Sequence, residues 1–111
     1  MISWLENTTK MLRKFITERA CAHMSEIKRF TKTQWGITQS VKYMQEISNK
    51  IDLLAYRPQI GMDRSGDIGK GIRSCFVGSH TIYYRHDSEL LVVYAILHQS
   101  MTPLVHLLSG E

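Results

Sequence analysis

Arg73, Tyr84, Arg85 and His98 are the residues of this 111-residue chain whose types could do acid–base chemistry on a phosphate. Cutting RNA needs a base for the ribose 2′-hydroxyl, an acid for the leaving oxygen, and cations around the phosphate. Arg73 and Arg85 would supply the cations, and His98 and Tyr84 would exchange the protons. The same residues also have a structural reading, which weighs more. Tyr83 and Tyr84 are then ordinary sheet residues, His98 ends a strand in a satisfied hydrogen bond, and the arginines pair with carboxylates.

Other chemistries find less support. Cys21 and Cys75 are too few for a disulfide framework and stand far apart, so two buried reduced thiols are expected. The histidines at 23, 80, 86, 98 and 106 form no HxH or HExxH arrangement, and neither a metal nor a cofactor is expected. The net charge is +4, from 14 basic and 10 acidic residues, which favours an acidic partner. Basic residues are spread rather than gathered: residues 72–111 hold only Arg73 and Arg85 against Asp87, Glu89 and Glu111. Sequence-specific nucleic-acid binding, which concentrates Lys and Arg on one face, is therefore not expected. No apolar run approaches the roughly 18 to 20 residues of a membrane span, and a cytosolic protein is the expectation.

The elements that must position these residues follow from periodicity. Leu12 to Ile16 suits a first strand. Thr17 is a candidate N-cap with Glu18 in the first turn, and Ala20, Met24, Ile27 and Phe30 recur at helical spacing up to Trp35-Gly36, where glycine ends the helix. A second helix follows Thr38, with Val41, Met44, Ile47, Ile51 and Leu54 on one stripe, and stops at Arg57-Pro58. These stripes are read as core rather than as a partner groove. The polar side of the helix hairpin, with Lys28, Arg29, Lys32 and Lys42, is a solvated face suited to an acidic segment.

Arg57 to Gly71, with Pro58, Gly61, Gly66 and Gly69 within it, reads as a long exposed loop. Ile72 to Val77, the turn Gly78-Ser79 and His80 to Arg85 read as a β-hairpin. After a turn at Asp87-Ser88-Glu89, Leu90 to Leu97 is apolar on both faces, as expected of the central strand of a sheet. Pro103 to Leu108 is expected to form a last helical turn. The fold class is thus α+β, an antiparallel-rich sheet with a two-helix hairpin on one face, in the order β-α-α-β-β-β. Two helices cover one sheet face only, so part of the other face is expected to need a partner's cover.

This order, and a set of residues in it, resembles the ParE branch of the RelE/ParE toxin superfamily. The resembling residues are Trp35-Gly36; Leu54-Ala55 with Pro58 and Gly61; Gly71-Ile72-Arg73; His80-Thr81-Ile82-Tyr83-Tyr84-Arg85; and Ile96-Leu97-His98-Gln99 with Met101 and His106-Leu107. Residues 11–108 correspond to a single toxin domain, 1–10 to an N-terminal extension and 109–111 to a tail. The resemblance implies a type II toxin neutralised by an acidic antitoxin in a hetero-oligomer, with DNA gyrase as the target. Other branches cut messenger RNA on the ribosome, usually with several cations on the sheet face, so the scarcity of such residues here favours non-enzymatic toxicity. An antitoxin-binding module without toxicity is a further alternative. Ser100 and Thr102 flank Met101 where ParE-like chains often carry Arg and Asp. The candidate contacts to target or antitoxin are Arg64, Arg73, Tyr83, Arg85, His98 and Met101.

Overall fold

The computed structural model describes residues 11–101. The expected helical turn at Pro103 to Leu108 lies outside the described residues, as do residues 1–10. Strand β1 spans Arg13–Ile16 and leads into α1, Glu18–Trp35. Thr17 caps α1 as its sequence suggests: its Oγ1 accepts the Ala20 N–H at 3.1 Å. Gly36 alone separates α1 from α2, Ile37–Tyr56, and its φ of +93° is open to a residue without a side chain. The sharp reversal between the helices therefore depends on glycine.

The helix stripes differ in phase from the apolar spacing. Ala20, Ile27 and Thr31 are buried on α1, and Ser40, Ile47, Ile51, Leu54 and Ala55 on α2. Phe30 is 59% and Val41 62% exposed, which corrects their assignment to the core. At about 100° per residue, Phe30 lies roughly 80° off the line through Ala20, Met24 and Ile27, whereas Thr31 lies within about 20° of it. The same rotation favours Ser40 over Val41. Two buried hydroxyls thus occupy the seam, and they satisfy one another: Thr31 Oγ1 and Ser40 Oγ are 2.7 Å apart, with Thr31 also donating to the Ile27 carbonyl at 2.8 Å.

Residues 57–71, expected as loop throughout, contain a 3₁₀ turn at Pro58–Ile60 and a two-residue strand, β2, at Met62–Asp63. Strand β3 is Arg73–Val77, β4 is His80–His86 and β5 is Leu90–His98. The five strands lie in the order β1-β5-β4-β3-β2, antiparallel except for the parallel β1–β5 pair. The middle strand is therefore β4, not the strand from Leu90 expected to be the spine, which lies between β4 and the β1 edge. Residues His80 to Tyr84 of β4 are all buried.

A β-bulge explains why β5 reads as apolar on both faces. Tyr83 pairs with Ala95 and Tyr84 with Val93, so Tyr94 is an extra residue with nothing opposite it. Leu91, Val93 and Ile96 consequently join the helix-side core with Ile47, Leu54, Ile82 and Tyr84, while Ala95 and Leu97 turn to the other face. Because β1 ends at Ile16, the outer edge of β5 is completed by other groups. Thr17 N–H donates to the Val93 carbonyl, Thr17 Oγ1 to the Tyr94 carbonyl, and Ile96 N–H to Nδ1 of His23. On the far face Ile72, Tyr83, Ala95 and Leu97 form a second cluster, against which Ile68 and Tyr94 pack. The cover expected from a partner is there supplied in part by the chain's own 64–72 segment.

Candidate functional site

Tyr84 and Arg73 face each other across β4 and β3 and are occupied with holding the segment before β2. Tyr84 is fully buried; its hydroxyl donates to the Pro58 carbonyl at 2.6 Å and accepts the Gly61 N–H at 3.0 Å. Burial pushes its phenol above the ordinary value, with the Gly61 bond partly offsetting the shift. Arg73 donates one NH to the Gln59 carbonyl at 3.3 Å and the Gly61 carbonyl at 2.8 Å. Both side chains thus tie the 3₁₀ turn to the sheet.

Arg85 follows Tyr84 and so turns to the opposite face, where it lies over the Tyr94 ring with its carbon 5.6 Å from the centroid. Arg64 lies over Tyr83 on that face at 5.8 Å, and Tyr83 itself is buried. Arg64 also forms a forked bond with Asp67, and its NH1 donates to Ser74 Oγ. That hydrogen-bonded pairing raises the Arg64 pKa and lowers that of Asp67.

His98 sits at the other end of the sheet. It pairs with His80 in the β4–β5 ladder, five residues along β4 from Arg85, or about 16 Å at a strand's rise per residue. Its Nδ1 accepts the Ser100 N–H at 3.1 Å, and its ring meets that of His80 edge-on with centroids 5.4 Å apart. The four residues of the RNA-cutting reading are therefore not brought together. Arg73 and Tyr84 are on the helix side, Arg85 on the other side, and His98 at the opposite end.

Sequence reasoning missed Tyr43 of α2 as the centre of that end. Its hydroxyl accepts the Ser79 N–H at 3.1 Å, lies 3.2 Å from the Val77 carbonyl, and is 2.7 Å from Nδ1 of His80. Gly78 gives the ring its place: a Cβ there would come within 2.5 Å of Tyr43 Cε1. Burial, then the neighbouring His98, lowers the pKa of His80. Nothing in the spacing marks Tyr43, because its partners are more than thirty residues away. The thiols are also placed differently from expectation. Cys21 is exposed and Cys75 only part-buried, because Cys21 falls outside the α1 core stripe.

The helix hairpin presents a groove of about 420 Å³ lined by Lys28, Lys32, Ile37, Ser40, Val41, Met44 and Gln45. Exposed Ile37 lies at its tip, while Trp35 turns its ring edge-on to Tyr43 with centroids 5.7 Å apart. Among the described residues no group of three or more His, Cys, Asp or Glu is placed to hold a metal ion, and no helix is long and apolar enough to cross a membrane.

The family model described as the ParE toxin of type II toxin-antitoxin system, parDE, matches residues 15–103. The chain belongs to the ParE toxin family. Toxin ParE1 of Mycobacterium tuberculosis strain H37Rv is 37% identical over 90 residues, covering 80% of this chain and 91% of that protein. Toxin ParE1 of Caulobacter vibrioides is 30% identical over 92 residues, covering 83% and 94%. The solved chromosomal ParDE TA system from P. aeruginosa contains a chain of similar fold, with a TM-score of 0.68 at 18% identity, covering 79% of this chain and 96% of that one. In this ParE toxin the matched span includes both helices and all five strands except the first two residues of β1. It also includes exposed His98 and Met101, whose N–H donates to the His98 carbonyl at 2.9 Å. His98 and Met101 are thus close together, and Arg64 and Tyr83 stack directly, whereas Arg73 is apart from both pairs.

Proposed function

We propose that this ParE toxin acts by binding protein, with DNA gyrase as its target and an acidic antitoxin as its neutralising partner. One observation carries the preference over RNA cutting. Arg73, Tyr84, Arg85 and His98 lie on two faces and at two ends of the sheet, and the Tyr84 hydroxyl is already used twice within the fold. A general acid and base must reach the same substrate within hydrogen-bond distance. The exposed pair His98 and Met101 is available to contact a target surface instead.

The helix groove supports the antitoxin assignment. It combines Ile37, Val41 and Met44 with Lys28 and Lys32, a surface suited to an amphipathic acidic helix. Exposed Ile37 and Val41 supply much of its apolar area. Burying such area contributes about 25 cal/mol per Å².

The test of mechanism is direct. Purified toxin is expected to trap cleaved DNA in a gyrase reaction and to leave a translation extract untouched. Message cutting that is abolished by His98→Gln in a folded variant would overturn the proposal, since loss of a general acid or base costs about 10² to 10⁴-fold in rate. If neither assay responds while antitoxin binding persists, only the antitoxin-binding part of the proposal survives.

A further inference from the structure

Three histidines hold the end of β5, each through Nδ1. His23 of α1 accepts the Ile96 N–H at 3.2 Å, His98 accepts the Ser100 N–H at 3.1 Å, and Nδ1 of His80 is 2.7 Å from the Tyr43 hydroxyl. A backbone N–H only donates, so Nδ1 of His23 and of His98 is bare and the single proton of each neutral ring sits on Nε2. The next proton that either ring takes up goes to Nδ1, where it meets the N–H already there. Donor then faces donor, and the hydrogen bond is lost.

His80 differs, because its partner can turn round. The Tyr43 oxygen also lies 3.2 Å from the Val77 carbonyl, so a protonated His80 would donate to Tyr43 while the hydroxyl proton passes to Val77. Burial and His98 in any case lower the His80 pKa, and this anchor holds while the other two respond. What those two hold is the way out of the sheet. The His98 carbonyl accepts the Met101 N–H at 2.9 Å, so the carbonyl and the ring of one residue close the turn 98–101. On the outer flank of β5 the pairing with β1 stops at Val93, and beyond it the His23 ring stands in for a strand at Ile96. Among the described residues, the charged groups of the elements packed here are Arg19 and Glu26, about a turn to either side of His23 on α1, and Glu46 and Lys50 of α2 on the groove that reaches Val77 and Gly78. These are two cations and two carboxylates, so the response is set by the hydrogen bonds.

We infer that the end of β5 is an acid-operated latch: a proton on Nδ1 of His98 frees the Ser100 N–H and opens the turn that carries Met101, and a proton on Nδ1 of His23 frees the strand edge at Ile96. The Tyr43–His80 contact and the bond from the Gln99 N–H to the Ser79 carbonyl keep the rest of the sheet end in place. Acid thus reshapes the His98–Met101 surface without unfolding the domain. What that surface contacts rests on the proposed function, whereas the latch itself does not.

The experiment is an NMR titration of the isotope-labelled full chain from about pH 8 to about pH 5.5, which spans the ordinary histidine range. Ring-nitrogen spectra at the alkaline end are expected to show His23 and His98 as Nε2–H tautomers. Across the titration the exchange protection of the Ile96 and Ser100 amides is expected to fall about three- to ten-fold, since a freed imidazole takes up its proton near about pH 6.5. Asparagine places an oxygen where Nδ1 stands and does not titrate. His98→Asn is therefore expected to remove the fall at Ser100 and keep it at Ile96, and His23→Asn to do the reverse. The inference is overturned if either ring carries its proton on Nδ1 at the alkaline end, if protection does not fall, or if the fall at Ser100 survives in His98→Asn, which would make it a general loss of stability. Thermal melting confirms folding of each variant. Should His23→Asn fail to fold, the Ser100 amide against the Ile96 amide in His98→Asn decides. The toxin is measured alone, so a chain that shows the latch yet traps no gyrase complex refutes only the gyrase reading.

Discussion

Removing only the hydroxyl of Tyr84 separates a structural role from a catalytic one. Tyr84→Phe keeps the buried ring and its packing, but leaves the Pro58 carbonyl without its donor and the Gly61 N–H without its acceptor. An unsatisfied buried donor or acceptor costs about 1 to 3 kcal/mol. The Gly61 bond is buried and the Pro58 bond part-buried, so the pair should cost about 2 to 4 kcal/mol. For a domain of this size 1 kcal/mol corresponds to roughly 4 to 8 °C, so the melting temperature should fall by about 10 °C or more. In urea the midpoint should fall with an unchanged m-value, because the surface exposed on unfolding is the same. The folded variant, assayed below its melting temperature, should remain toxic. Full stability with toxicity lost would refute the reasoning, because the hydroxyl would then be acting on a target and not on the 58–61 segment.

Gly78→Ala should destabilise by about 2 to 4 kcal/mol in a urea titration, since it combines a φ of +58° with a clash against the Tyr43 ring. Val41→Asp should leave stability within about 0.5 kcal/mol but weaken capture of the antitoxin in a pull-down, because Val41 is exposed in the groove beside Lys28 and Lys32. Cys21→Ser and Cys75→Ala should both preserve toxicity in a growth assay, with a stability cost near zero at exposed Cys21 and about 1 kcal/mol at part-buried Cys75. Stability should also depend on pH through His80, whose pKa is lowered in the fold by burial and by His98. That contribution is complete above the unfolded value of about 6.5 and is lost as pH falls from there toward the lower folded value, so the urea midpoint should drop as pH falls below about 7. His80→Gln should flatten the decline in that window.

Local chemistry was legible in the sequence wherever neighbouring residues decide the outcome. Thr17 had the side chain to cap α1, Gly36 the freedom to reverse the chain, and Gly78-Ser79 the turn that joins β3 to β4. The helix hairpin, the β3–β4 hairpin and membership of the ParE family followed from those signals and from the ordered residues around them. Two choices depended on helical phase finer than the apolar spacing. Phe30 and Val41 looked like core, yet Thr31 and Ser40 took the seam because a hydroxyl pair can bury itself when each satisfies the other.

Only the tertiary structure decided where the candidate site residues point. Adjacent strand residues face opposite ways, so Tyr84 and Arg85 part company, and no spacing reveals which of them the helices cover. The two-residue β2 is too short to show alternation and exists because β3 offers it an edge. The bulge at Tyr94 has no local signature, yet it reverses the facing of every residue after it in β5. Tyr43 became a hub because folding brings it to Val77, Ser79 and His80, partners more than thirty residues distant. Periodicity reports which face of its own element a residue occupies, and a functional site is set by what the other elements place opposite that face.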